Sequence, residues 1–141
     1  MGFRFLEHTA DVYVAAYGET LAEAFENAAL AMFETMTDTE NVKPTIRKTV
    51  EAEGFDKQSL LYNWLEKLLL IFELDNLLLS RFKIHTISES DEGFKLEAEV
   101  HGEPFNPKKH RQKVGVKSIT YHRMEIHETP KKTTVKFILD I

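Results

Sequence analysis

Two aspartates set far apart in the chain, Asp11 and Asp140, carry the chemistry this sequence most readily supports. Residues 11–17 alternate, with Val12, Val14 and Ala16 on one face, so Asp11 opens a strand on the other face. Residues 133–139 alternate too, and Asp140 follows on the face opposite Val135, Phe137 and Leu139. In an antiparallel pair the start of one strand lies beside the end of its neighbour. If these two strands pair, the carboxylates meet, and Ile141 at the end of the sequence adds a carboxylate and a carbonyl oxygen. Hard anionic oxygens gathered in one place repel one another until a cation sits among them, and oxygen donors suit Ca²⁺, Mg²⁺ or Mn²⁺. Taken singly, each residue has a plainer reading. Asp11 is then a turn-forming aspartate at a strand start, and Asp140 an exposed charge at a chain end. His8, three residues before Asp11, is either a support for that site or an ordinary hydrogen-bonded histidine.

The second constellation is the densest basic run, Lys108-Lys109-His110-Arg111-Gln112-Lys113. It reads either as a solvated loop or as a surface, centred on Lys108, Lys109 and Arg111, for RNA phosphates or an acidic partner. It lacks interleaved aromatics, so it is not a base-stacking platform. The familiar catalytic templates are missing: no Gly-x-Ser-x-Gly, no glycine-rich phosphate loop and no His-Glu-x-x-His occurs. The six histidines form no convincing zinc set. The absence of cysteine excludes a disulfide framework, a thiolate metal site and a cysteine nucleophile.

These residues need a scaffold, and its elements are legible. After the strand at 11–17, Thr20-Leu21-Ala22-Glu23 is a capping-box pattern. Leu21, Phe25, Ala28, Ala29, Met32, Phe33 and Met36 then form one helical stripe. Residues 46–54 alternate as a strand, and Asp56 or Ser59 can cap a second helix that runs to about Asn76, with Leu60, Leu61, Trp64, Leu65, Leu68, Leu69 and Phe72 inward. Strands are expected over 81–88 and 94–101, joined by an Asp91-Glu92-Gly93 turn. A Pro-bearing loop follows over 103–115, and strands at 116–127 and 133–139 close the chain. The expected architecture is α+β: one domain over residues 1–141, with a mixed or mostly antiparallel sheet of about six strands packed with two main helices.

Composition agrees. Apolar residues at 43% and charged residues at 29% fit a globular chain rather than a disordered one. The net charge of −5 does not favour wholesale nucleic-acid binding. Acidic residues crowd residues 1–40 and basic ones residues 101–141, however, so a local basic patch is compatible with it. The first residues lack the apolar core of a signal peptide. The richest apolar stretch, 60–79, is broken by Glu66, Lys67, Glu73 and Asp75, so no membrane span and a cytoplasmic protein are expected.

Several segments in shared order resemble the archease family: His8-Thr9-Ala10-Asp11-Val12, Thr20-Leu21-Ala22-Glu23-Ala24-Phe25, Leu60-Leu61-Tyr62-Asn63-Trp64-Leu65, Val116-Lys117-Ser118-Ile119-Thr120-Tyr121-His122 and Phe137-Ile138-Leu139-Asp140-Ile141. The resemblance spans nearly the whole chain. It implies an α+β protein that is not itself an enzyme but a cofactor of RtcB-type tRNA-splicing RNA ligases. Those ligases join a 2′,3′-cyclic-phosphate or 3′-phosphate end to a 5′-hydroxyl end, using GTP and Mn²⁺ through a guanylylated histidine. The cofactor promotes guanylylation and multiple turnover. The resemblance also carries a metal site onto Asp11, Asp140 and Ile141, with calcium the usual cation. It further implies a chaperone-like role, in some archaeal members, toward a tRNA cytosine-5 methyltransferase, with tRNA engaged indirectly. Two readings compete with the cofactor role. One is an independent metal-dependent enzyme using Asp11, Asp140 and a histidine. The other is a general RNA- or methyltransferase-binding chaperone acting through residues 108–113.

Overall fold

The structure, a computed structural model, describes residues 2–6 and 11–141. Its elements in chain order are β1 (Phe3–Leu6), β2 (Val12–Gly18), α1 (Leu21–Met36), a 3-10 turn (Thr39–Asn41), β3 (Ile46–Gly54), α2 (Lys57–Asp75), β4 (Leu77–Ser90), β5 (Gly93–Pro104), β6 (Ser118–Glu128) and β7 (Thr133–Asp140). The fold is α+β, as expected, but the strands do not form one sheet of six. They form two antiparallel sheets, one ordered β1-β2-β7-β6 and one ordered β3-β5-β4.

The helices explain the split. α1 begins where Thr20 Oγ1 accepts the Glu23 amide at 3.1 Å. Its buried residues reach beyond the single stripe, because Ala24 and Ala31 are as fully buried as Phe25, Ala28 and Met32. A helix apolar over so much of its girth needs cover on more than one side. α1 packs on β1, β2 and β7 of one sheet and on β4 of the other. α2 packs on β3, β4 and β5 and also on β6. Asp56, not Ser59, is the N-cap of α2, and the two residues cap reciprocally. The helix stops at Asn76, which turns left-handed with φ 55°. Trp64 is fully buried, and its Nε1–H donates to the Phe25 carbonyl at 3.0 Å, fastening α2 to α1 inside the shared core.

The remaining differences are local. β1 is only four residues long, too short for alternation to announce it. β4 starts at Leu77 rather than near residue 81, because the continuous run Leu77–Leu79 is buried on both sides and shows no period of two. Asp91 and Glu92 do connect β4 and β5, and Gly93 has φ 116°. A Cβ there would meet the Gly54 carbonyl oxygen at 2.5 Å, so the turn requires glycine.

A candidate carboxylate site at the end of the β2–β7 pair

β2 and β7 are antiparallel neighbours, in register from Val12↔Leu139 to Gly18↔Thr133. One step beyond Val12 and Leu139 lie Asp11 and Asp140, so the strand adjacency that would make the two carboxylates meet is present. Both are half-buried, as is Ile141. The site owes its position to the opposite face. Val14, Ala16, Val135, Phe137 and Leu139 are fully buried in the core, and strand alternation turns Asp11 and Asp140 the other way, in line with Tyr13 and Ile138.

Tyr13 and Ile138 are also buried, although they lie outside the main core cluster. Part of the cover on Tyr13 is Arg123, whose guanidinium carbon sits 4.9 Å from the ring centroid. Arg123 reaches that position from an irregularity in β6. Pairing with β7 jumps from Thr120↔Ile138 to Glu125↔Lys136, and Arg123 turns left-handed with φ 58°. The bulge sets a cation over the residue pair next to the two aspartates. The Asp140 carbonyl accepts the Lys117 amide at 2.7 Å, which fixes the end of β7 against the start of β6.

The donors are oxygens, so this end of the molecule suits a hard cation and not zinc. Among the described residues no group of three or more His, Asp or Glu side chains is placed to hold a metal ion. A cation here would therefore rest on two carboxylates plus oxygens at the end of the sequence. Calcium takes six to eight oxygen ligands, so such a set leaves positions for water or for a partner's oxygens. His8 lies outside the described residues. Beside Asp11 runs an open, largely apolar groove of about 370 Å³, walled by Phe5, Leu6, Val12 and Val114. Phe5 and Val114 are 48% and 41% exposed.

The basic run is engaged with its own chain. Lys109 Nζ is 2.7 Å from Glu103, Arg111 is 3.7 Å from Asp38, and Lys113 lies 3.3 Å from Glu34 and 3.6 Å from Asp38. His110 is buried; its Nδ1 accepts the Asn106 amide at 2.9 Å, so the proton on Nε2 is left to donate to Glu103 at 2.9 Å. Burial alone would raise the Glu103 carboxyl, but hydrogen bonds from Lys109, the Lys43 amide and His110 outweigh it and hold the pKa down to about 2. Lys108 remains exposed. These ties carry the loop to α1, where the Lys113 amide donates to the Met36 carbonyl and the Val114 amide to the Thr35 carbonyl, at 3.0 and 3.2 Å. The loop thereby builds one wall of the groove beside Asp11. Neither that wall nor Arg123 was legible in the sequence, because both depend on loop and bulge geometry that has no periodicity.

Comparison with known proteins agrees with this architecture. The model of the archease protein family matches residues 3–141. A protein archease of Sulfurisphaera tokodaii is 42% identical over 139 residues, covering 99% of this chain and 98% of its own. One of Pyrococcus abyssi is 43% identical over 124 residues, covering 88% and 87%. The solution structure of protein 1598 of Methanobacterium thermoautotrophicum superposes with a TM-score of 0.84 at 42% identity, over 99% of both chains. The crystal structure of an archease of Thermotoga maritima, described as a possible chaperone, gives 0.64 at 16% identity over 96% and 94%, a likeness of fold alone.

Proposed function

We propose that this chain, which belongs to the archease family, is a protein activator of an RtcB-type tRNA-splicing RNA ligase in the cytoplasm, not an enzyme in its own right. It promotes guanylylation of the ligase and so its multiple turnover. Asp11, Asp140 and Ile141 hold a divalent cation, calcium in the first place and magnesium or manganese as the alternatives. The observation that supports this reading is the β2–β7 register, whose end pair Val12↔Leu139 is followed directly by Asp11 and Asp140. When bound, the cation supplies positive charge where a phosphate-bearing centre of the ligase would dock. The protein's own residues do the rest. The strands hold the carboxylates in place before docking, and the apolar groove of Phe5, Leu6, Val12 and Val114 offers the partner a surface to bury. An open groove walled largely by apolar side chains suits a docking protein better than a self-contained active site.

The test is a single-turnover guanylylation assay of a cognate ligase with GTP and Mn²⁺. Substoichiometric parent protein should raise the rate of guanylylation and restore multiple turnover, and Asp11→Ala should not. The protein alone should neither ligate RNA nor hydrolyse GTP. Equal stimulation by the parent and by Asp11→Ala would remove the carboxylate end from the mechanism.

A further inference from the structure

The outer face of the β3-β5-β4 sheet has no part in the site above, and it is built in an unusual way. Strand alternation sends Val50, Ala52, Leu96, Ala98, Val100 and Ile84 inward to the core. The outward residues stand in cross-strand rows. Arg47 pairs with His101 and His101 with Arg81; in the next row Thr49 pairs with Glu99 and Glu99 with Lys83. Further along, Glu51 pairs with Glu97 and Glu53 with Lys95, whose Nζ lies 3.9 Å from both Glu51 and Glu97, so three glutamates face one lysine. No apolar side chain stands in any of these rows. The face is polarised: cationic at the Arg47–His101–Arg81 end and acidic at the other.

At the cationic end only Glu99 balances the charge, 3.3 Å from Arg47 and 3.6 Å from His85. Among the described residues neither Arg81 nor Lys83 has a carboxylate within ion-pair distance. Among the described residues the buried His101 Nδ1 has no hydrogen-bond partner. Adjacent strands lie about 4.8 Å apart, so the row spans about 10 Å.

We propose that this cationic end binds the phosphodiester backbone of a nucleic acid. A partner protein with an acidic surface would need an apolar patch to bury, since protein interfaces have apolar cores. Phosphate-backbone interfaces are polar, wet and cationic, as this face is. With no aromatic ring in the rows, the contact reads no bases and is indifferent to sequence. Glu51, Glu53 and Glu97 repel phosphates and confine the strand to one end of the sheet. The net charge of −5 makes the confinement necessary, because the rest of the surface does not attract a polyanion.

The test is fluorescence anisotropy with a labelled, unstructured RNA of roughly 20 nucleotides at about 50 mM and about 200 mM salt. Contact by Arg47, Arg81 and Lys83 with three phosphates of a single strand gives a log–log salt slope of about −2, so the fourfold rise in salt should cost about 16-fold in affinity. Arg81→Ala with Lys83→Ala should flatten the slope toward about −0.7 and lower affinity at the lower salt by about tenfold. Glu51→Gln with Glu97→Gln should strengthen binding, a gain that misfolding cannot produce. Lys108→Ala, Lys109→Ala and Arg111→Ala together should leave it unchanged, and so should Asp11→Ala, which separates this surface from the carboxylate end. The proposal is overturned if the parent does not bind RNA at the lower salt, if the Arg81/Lys83 variant keeps the parent's affinity and slope, or if the loss resides in the 108–111 variant. Equal affinity for a poly-glutamate peptide would also overturn it and assign the face to an acidic protein.

Discussion

Replacing Glu103 by glutamine should weaken the fold in a pH-dependent way and, through the loop it anchors, disturb the groove beside Asp11. The magnitude follows from linkage. The Glu103 carboxyl lies at about 2 in the folded protein against an ordinary 4.5. A depressed folded pKa contributes stability that is fully present above the unfolded value and is lost as pH falls through the folded one. The full shift corresponds to about 3 kcal/mol. Lys109, the strongest of its partners, is 36% exposed, so water screens that pairing and the net contribution is about 1–2 kcal/mol. For a chain of 141 residues that is a fall in melting temperature of about 3–6 °C. Differential scanning calorimetry of the parent and Glu103→Gln between neutral pH and about pH 2 reads the effect. The gap should be widest at neutral pH, begin to close below 4.5 and be mostly gone near 2, where the parent's own carboxyl is about half protonated. A gap that stays constant with pH would show that Glu103 acts by shape and not by charge. No gap at neutral pH would refute the anchoring role altogether.

Three further outcomes follow from the same structure. Asp140→Ala should abolish calcium binding in a calorimetric titration while changing stability by less than about 1 kcal/mol, because Asp140 is half-buried on the face away from the core; unaltered affinity would remove it from the site. Trp64→Phe should cost about 2–3 kcal/mol in denaturant unfolding, from the cavity and from the Phe25 carbonyl left without its donor; a cost below about 0.5 kcal/mol would mean the two helices are not fastened there. Gly102→Ala should damage the β4–β5 pair severely, because its Cβ would stand 1.7 Å from the Leu78 carbonyl oxygen; unchanged amide exchange along β4 would contradict that packing.

Much of the scaffold was legible because amphipathic elements leave a period behind. The stripe from Leu21 to Met36 and the alternation of Phe94, Leu96, Ala98 and Val100 coincide with α1 and β5. The adjacency of the strand after Asp11 and the strand before Asp140 is only an assumption at the level of sequence, and β2 does lie beside β7. What escaped has no period. The division into two sheets turns on α1 being buried beyond its stripe, and alanine at Ala24 and Ala31 is equally at home on a helix surface. The basic run at 108–113 was read by composition, yet its ion pairs to Glu103, Glu34 and Asp38 depend on residues distant in sequence. The row Arg47–His101–Arg81 is invisible until strand register is known, since its members come from three strands.

Like charges facing each other one step beyond Val12↔Leu139 would push the strand ends apart, so the persistence of the β2–β7 register under the proposed reading needs a physical cause. At a cross-strand separation of about 5 Å the repulsion between two carboxylates is about 1 kcal/mol in water and about 3 kcal/mol at an effective dielectric near 20. The strands could relieve it by slipping one residue, which would move Asp140 away from Asp11. A one-residue slip turns every side chain of a strand to its other face. In β7 it would bring Val135, Phe137 and Leu139, all fully buried, out to solvent. Exposing each costs about 1.5–3 kcal/mol, so the slip costs about 5–9 kcal/mol, much of the stability of an ordinary domain. Burial wins by a wide margin. Burial therefore holds the register against such a repulsion, and under the proposed reading a cation would meet the two carboxylates on strands already paired, with little ordering left to oppose binding.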